Sequence, residues 1–454
     1  MALWYCLARL MDKETKQIIK MAGPIAVGIA SFVLIHLVDL YWVGYLGEEA
    51  LAAICVAGGF LFFVFTLTGV VRTSVTTLVS QALGREDEEE ISKVTADGLL
   101  LALLLGSFVF VVARLQLENL LQLLGLAGKT FELANQYCSI MFLGIPLWFV
   151  SEGAVGHFFG RGKMVVLMAV VVSANLLNAI LDPLLILGVG PFPALGIGGA
   201  AIASLSAVLM SGLTYIFVLF YRGHVRFIHL CFRWQGWRKL LYIGLPAAGR
   251  EVGRPLSNLV LFRVVACFGP ATVAALGIAM RYAGVMGIYI GALAVTLSSL
   301  AGRNIGAGKE ENVEPLLIRG LQIGLIVHLL QAVMMTIFAS TFLSLFDGSG
   351  EVVAAGANLL RIFAWSSTFV LCTHVMNAAF KGAGETGPIF LSSFFANWIV
   401  QVPMACVAAW VLVNPLGVWA ALGLGHACEA VAAGSFYSTY SWRQSLDESA
   451  QEVG

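Results

Sequence analysis

The chain contains its own first half twice, at a fixed offset of 222 residues. Pro24 and Pro246 each stand near the start of a long apolar segment, and Gly47 and Gly269 follow those segments at the same shift. Ala52/Ala274, Gly84/Gly306, Gly160/Gly382, Gly162/Gly384 and Asn175/Asn397 keep that register, and Gly196/Gly417 slips from it by one residue. Chance matches scatter over many offsets, whereas these share one. A tandem repeat in an apolar chain predicts two similar bundles, a plan common among membrane transporters.

Composition identifies the solvent of the repeat. The chain is 59% hydrophobic and 11% charged, with a mean hydropathy of +0.90. A soluble protein carries about 25% charged residues, so most of this chain faces lipid or protein. The net charge is zero, and neither a basic helix nor an aromatic RNA-binding motif is present, which excludes nucleic acid as a partner. The eight cysteines are scattered through apolar runs with no CxxC pair, so neither a metal cluster nor a disulfide scaffold is expected. No cofactor motif is present. The first apolar stretch, from Ile18 to Leu46, is too long for a signal-peptide core and contains an aspartate.

A membrane-spanning helix needs about 20 apolar residues. That ruler predicts twelve spans, six in each half, so both halves run in the same direction: a parallel repeat. The expected domains are an N-terminal lobe over 1–220, a cytoplasmic linker over 221–239 and a C-terminal lobe over 240–454. The linker, basic and aromatic, is placed at the inner membrane surface. The loops around Gly47–Ala50, Gly188–Leu195, Gly269–Thr272, Asp347–Glu351 and Asn414–Gly417 carry no lysine or arginine. The alternate loops and both tails hold Arg9, Lys13, Arg85, Arg161, Arg303, Lys381 and Arg443, and only Arg114 and Lys129 break the pattern. Positive charge is retained on the cytoplasmic side, so both termini are expected there, in a cell membrane.

Ionisable residues inside spans are costly and mark sites. Asp39 lies eight residues before Gly47, about 12 Å below the outer end of the first span. Asp182 lies six residues before Gly188, and Ser204 eight residues after Gly196, so three helices bring polar groups to a similar depth. Asn178 shares a helix face with Asp182 at i and i+4. Two carboxylates, a carboxamide and a hydroxyl form an oxygen-rich set suited to H⁺ or Na⁺. Two neighbouring carboxylates in a low-dielectric place do not both ionise without a cation to neutralise them. His36, three residues before Asp39, and Pro24, which removes a helix hydrogen bond, are candidate modulators. The second half carries Arg250, Glu251, Arg254 and Arg281 as candidate cavity residues. Cations lining that half would favour anionic or zwitterionic cargo.

Four segments together resemble the multidrug and toxic compound extrusion (MATE) transporters. They are Pro24 to Gly47 with its aspartate, the Asn178–Asp182–Pro183 step, the run Gly196-Ile197-Gly198-Gly199-Ala200-Ala201, and Lys381-Gly382-Ala383-Gly384-Glu385-Thr386. The resemblance covers nearly the whole chain. It implies an all-α integral membrane protein of two six-helix lobes in a V, with no enzymatic activity. Such a protein exports small organic substrates by alternating access, driven by an H⁺ or Na⁺ gradient, as a lipid-embedded monomer. The pattern is similar to the DinF-like branch, in which Asp39 matches the acid of helix 1 and Asn178 and Asp182 the helix 5 pair. Ser204 falls where a threonine is usual, and Ile35 stands where some relatives carry a tyrosine. The NorM-like branch uses acids in helices 7 and 10. Here helix 10 has no acid after Glu351, and Glu251 beside Arg250 and Arg254 is expected to form a local ion pair. A flippase for a lipid-linked precursor is the alternative, usually with more spans.

Overall fold

The computed structural model describes residues 12–344 and 350–439. Arg9, Arg443 and Asp347, invoked above for topology, lie outside the described residues. Among the described residues no strand forms, and the helices run in chain order. The first half holds α1 (Lys13–Gly44), α2 (Glu48–Leu67), α3 (Gly69–Gly84), α4 (Glu88–Leu123), α5 (Gly128–Phe142), α6 (Ile145–Arg161), α7 (Met164–Ile186) and α8 (Ile197–Tyr221). The second holds α9 (Trp234–Val265), α10 (Pro270–Gly306), α11 (Val313–Ser344), α12 (Glu351–Ala383), α13 (Gly387–Phe394), α14 (Val402–Trp410) and α15 (Pro415–Thr439).

Among the described residues, ten helical segments are long and apolar enough to cross a membrane, with α2–α3 and α13–α14 each counting as one. The pair α5 and α6, bent by 51°, makes an eleventh. The twelfth expected span is α9, a 32-residue helix outside that set. Arg250, Glu251, Arg254 and Arg263 lower its hydropathy.

The repeated glycines turn out to be backbone requirements. Gly47 and Gly269 cap the starts of α2 and α10 with φ of 100° and 99°, a region closed to most side chains. Gly162 and Gly384 end α6 and α12 in the left-handed conformation, at φ 70° and 89°. Gly160 and Gly382 are needed for close approach. A Cβ on Gly160 would sit 2.9 Å from the Thr76 carbonyl on α3, and one on Gly382 would sit 2.7 Å from the Gly302 nitrogen on α10. Small residues let two helix backbones touch where lipid supplies no hydrophobic drive.

Contacts divide the chain into two compact units, Gly23–Ala248 and the remainder. In the first, α3 is the buried centre, wedged against α4 and α6. Its hydroxyls are satisfied locally: Ser74 donates to the Val70 carbonyl and Thr76 to that of Arg72, each at 2.7 Å. The linker is tied to α4. Arg233 donates to both Asp97 oxygens at 3.2 Å and to the Lys93 carbonyl at 2.6 Å, and Ser92 and His229 share a 2.8 Å hydrogen bond. In the second unit α12 is central, packed against α10, α11 and α15. Between α13 and α14 the chain forms a π-helical turn, Phe395–Gln401. Pro403, just beyond it, cannot donate to the preceding turn, and the wider winding accommodates that. The unit boundary at Gly23 falls inside α1, one residue before Pro24.

Candidate functional site

The acids of the first half converge. α1 brings Asp39 near its end, α7 brings Asn178 and Asp182 one turn apart, and α8 brings Ser204 one to two turns after its start. Asp182 is fully buried and Asn178 is 2% exposed. The Asp39 and Asp182 carboxyls meet at hydrogen-bonding range. With its amide nitrogen turned toward Asp39, Asn178 donates to Asp39 Oδ1 at 2.9 Å and accepts from the Ser204 backbone N–H at 3.2 Å. The opposite orientation leaves only 3.4 Å contacts to Asp182 Oδ1 and Ser204 Oγ, so the first is the better network. Asp182 Oδ2 is buried with no donor among the described residues. A buried carboxylate oxygen beside a second carboxylate is satisfied by a bound proton or a cation.

The sequence did not signal one member of this cluster. Tyr137 on α5, 5% exposed, places its hydroxyl at the Ser204 side chain and beside both aspartates. Asn175, one turn from Asn178, donates to Ser31 Oγ at 2.8 Å and cross-links α7 to α1. His36 is exposed, and its Nδ1–H donates to the Phe32 carbonyl at 3.0 Å, so it adds no hydrogen bond to the cluster. Pro24 lies within an unbroken α1. Arg72 and Glu152, also inside spans, pair with each other at 2.8 Å, with Arg72 over the Phe65 ring.

The second half differs from its expected pairing. Arg250 donates through Nε and Nη2 to Glu429 Oε1 on α15, at 3.2 and 3.0 Å, with the two side chains 7% and 3% exposed. Glu251 lies 4.0 Å from Lys381 Nζ on α12. The local pairing of Glu251 with Arg250 is therefore corrected. Adjacent residues on a helix point about 100° apart, which sends Arg250 and Glu251 to different neighbours. Arg281 stands exposed on α10, apart from this group.

Comparison with known proteins follows the same lines. The MatE family profile matches residues 24–184 and again 246–407. The probable multidrug resistance protein YoeA of Bacillus subtilis is 25% identical over 417 residues, 90% of each chain. An FAD transporter of Shewanella oneidensis is 29% identical over 339 residues, 74% of this chain and 75% of that one. Among solved structures, a MOP superfamily transporter from Pyrococcus furiosus superposes with a TM-score of 0.88 at 21% identity, covering 95% of this chain and 97% of that one. Two tandem profile matches, on an all-helical fold shared over nearly its full length with such structures, leave one assignment. The chain belongs to the MatE family, the multidrug and toxic compound extrusion transporters, and is a multi-pass membrane efflux transporter rather than an enzyme.

Proposed function

We propose that this transporter is an antiporter, exporting an organic substrate by alternating access while H⁺ or Na⁺ moves inward through the N-terminal acid cluster. The observation that carries the reading is the meeting of Asp39 and Asp182, with Asp182 Oδ2 buried and undonated. Ion occupancy there joins α1 to α7, and its release leaves two carboxylates that repel each other. One occupancy state thus favours one packing of α1, and the other favours its alternative. Asn178 and Ser204 orient the acids, and Tyr137 supplies a further oxygen. The lysine and arginine distribution supports a cell-membrane location with both termini cytoplasmic.

The test is substrate-induced ion release from purified protein in liposomes, parent against Asp39→Asn. A pH signal independent of Na⁺ and lost in the variant assigns the cluster to protons; a signal that requires Na⁺ assigns it to the metal ion. Equal signals in parent and variant would remove the cluster from the coupling step.

A second feature bears on cargo. The Shewanella relative is named for FAD, an anionic dinucleotide. Export of anionic or zwitterionic metabolites is the reading that likeness supports.

A further inference from the structure

Seven ionisable groups of the C-terminal unit lie on three helices around the Arg250–Glu429 pair. α9 contributes Arg250, Glu251 and Arg254; α12 contributes His374 and Lys381; α15 contributes His426 and Glu429. Three cations thus meet two carboxylates. Both carboxylates already have a cation, Glu429 from Arg250 and Glu251 from Lys381. Arg254 is left over. It lies close enough to Glu429 and Arg250 to feel both charges, yet among the described residues its guanidinium makes no hydrogen bond or ion pair.

Arg254 cannot escape to a headgroup. From Arg254 to the end of α9 at Val265 is about 16 Å of helix, more than an arginine side chain spans. Five N–H donors held in the middle of a span, with no acceptor, are costly unless something anionic or a water-filled space receives them. Arg254 as a residue is only partly buried, so the site is not closed off on every side.

A second observation points to the same place. Asn377, on the α12 face that also carries His374 and Lys381, is 4% exposed, and neither atom of its amide has a partner among the described residues. His374, which feels the charges of Arg250, Arg254 and Lys381, likewise has no hydrogen bond there. Arg250, of this group, also lines a small cleft with Gly249, Gly253, Phe390, Asn397 and Trp398. The glycines keep α9 low against the aromatic rings: Phe390 would be 2.9 Å from a Cβ on Gly249.

We propose that the C-terminal lobe holds an oxyanion-binding site, in which Arg254 takes the phosphate or carboxylate group of an organic anion. The planar guanidinium suits bidentate contact with either group. The Arg250–Glu429 pair fixes the helix that presents Arg254, and His374 and Asn377 on α12 offer further hydrogen bonds. The proposal takes its role, docking of cargo, from the exporter reading above. Its binding test requires no gradient, so failure of ion coupling and absence of this site give different results.

The test is equilibrium binding of ADP, pyrophosphate and adenosine to the full-length protein in neutral detergent, followed by calorimetry. The expected result is binding of ADP and pyrophosphate, at least tenfold weaker binding of adenosine, and a loss of about tenfold or more in ADP affinity with Arg254→Gln. Arg254→Lys, which keeps the charge but not the fork, serves as the folding-safe variant and is expected to lose less. Repetition in nanodiscs of phosphatidylcholine with and without phosphatidylglycerol distinguishes the source. Competition by phosphatidylglycerol, abolished in Arg254→Lys, would assign the same site to a lipid headgroup. Equal ADP affinity in the parent and both variants, or no binding of any anion by the well-folded parent in either medium, would overturn the proposal.

Discussion

Glu429→Gln is the substitution whose cost follows most directly from the structure. Glu429 Oε1 accepts two hydrogen bonds from Arg250, and both side chains are almost wholly buried. Removing one partner of such a pair strands the other charge in a low-dielectric interior, at a cost of about 3–5 kcal/mol. Glutamine retains a carbonyl acceptor, which argues for the lower end. The charge lost also compensates Arg254, so two neighbouring arginines lose the carboxylate whose charge both feel. For a unit of this size 1 kcal/mol shifts a melting temperature by about 2–4 °C, so a drop of roughly 6–12 °C is expected. Tryptophan fluorescence melts in detergent would read it. The double variant Arg250→Met/Glu429→Met removes both charges at once and is expected to recover most of the loss, because apolar replacement of a buried pair is often neutral. Phosphate added to Glu429→Gln should raise its melting point more than that of the parent, since an anion now has two arginines to neutralise. A Glu429→Gln melt within about 1 °C of the parent, or a double variant as unstable as the two single variants summed, would refute the reasoning.

Two further outcomes are expected. At Gly199, near the start of α8, a Cβ would stand 2.3 Å from the Leu185 carbonyl oxygen, and backbone cannot move aside cheaply. Gly199→Ala should cost about 1–3 kcal/mol in a melt, whereas Gly58→Ala, with open space around it, should be neutral or slightly stabilising; equal effects would count against the helix crossing. His224, in the linker, is held below its ordinary value of 6.5 by burial and by Arg161 nearby. Its folded value is the lower one, so protons bind the released linker first; docking is fully favoured above about 6.5 and weakens as pH falls through the folded value. Hydrogen exchange over residues 222–231 should therefore quicken from pH 7.5 to 5 after correction for intrinsic rates, and His224→Gln should flatten that change. Identical protection of the parent at both pH values would contradict it.

The glycine positions were legible in the sequence because each answers a backbone demand that no other residue meets. A cap at φ near 100°, or a crossing with under 3 Å to spare, leaves glycine as the choice in both halves, so the repeat survives there. Asp39 and Asp182 were legible because a carboxylate inside a span is expensive, and counting residues from the bounding glycines placed them at one depth. Tyr137 was not, because a tyrosine in an apolar run reads as core, and only the packing of α5 against α8 shows its hydroxyl at Ser204. The partner of Arg250 was hidden for a different reason. Glu429 is 179 residues away, and long-range pairing leaves no periodic trace. The span at α9 was legible from apolar length and the repeat, although Arg250, Glu251, Arg254 and Arg263 lower its hydropathy.

The two halves kept their packing residues and exchanged their chemistry. At the shared offset Asp39 answers to Leu261, Asn178 to Val400 and Asp182 to Met404, so the second half has apolar side chains where the first has its acid cluster. In the other direction Arg250 and Arg254 answer to Gly28 and Phe32, and His374 answers to Glu152. Positions fixed by helix crossings tolerate little, while polar positions facing a cavity can diverge once each lobe serves a different ligand. If the acid cluster of one half takes the coupling cation and Arg254 of the other takes an anionic cargo, as proposed, the division has an energetic consequence. A cation moving inward and an anion moving outward both carry positive charge inward, so the membrane potential drives both steps. Each elementary charge is worth about 2.3 kcal/mol per 100 mV, so one H⁺ exchanged for a monoanion gains about 4.6 kcal/mol per 100 mV. Exchange of H⁺ for a monocation gains none. Division of charge between the lobes would therefore let the potential alone sustain export where the ion gradient is shallow.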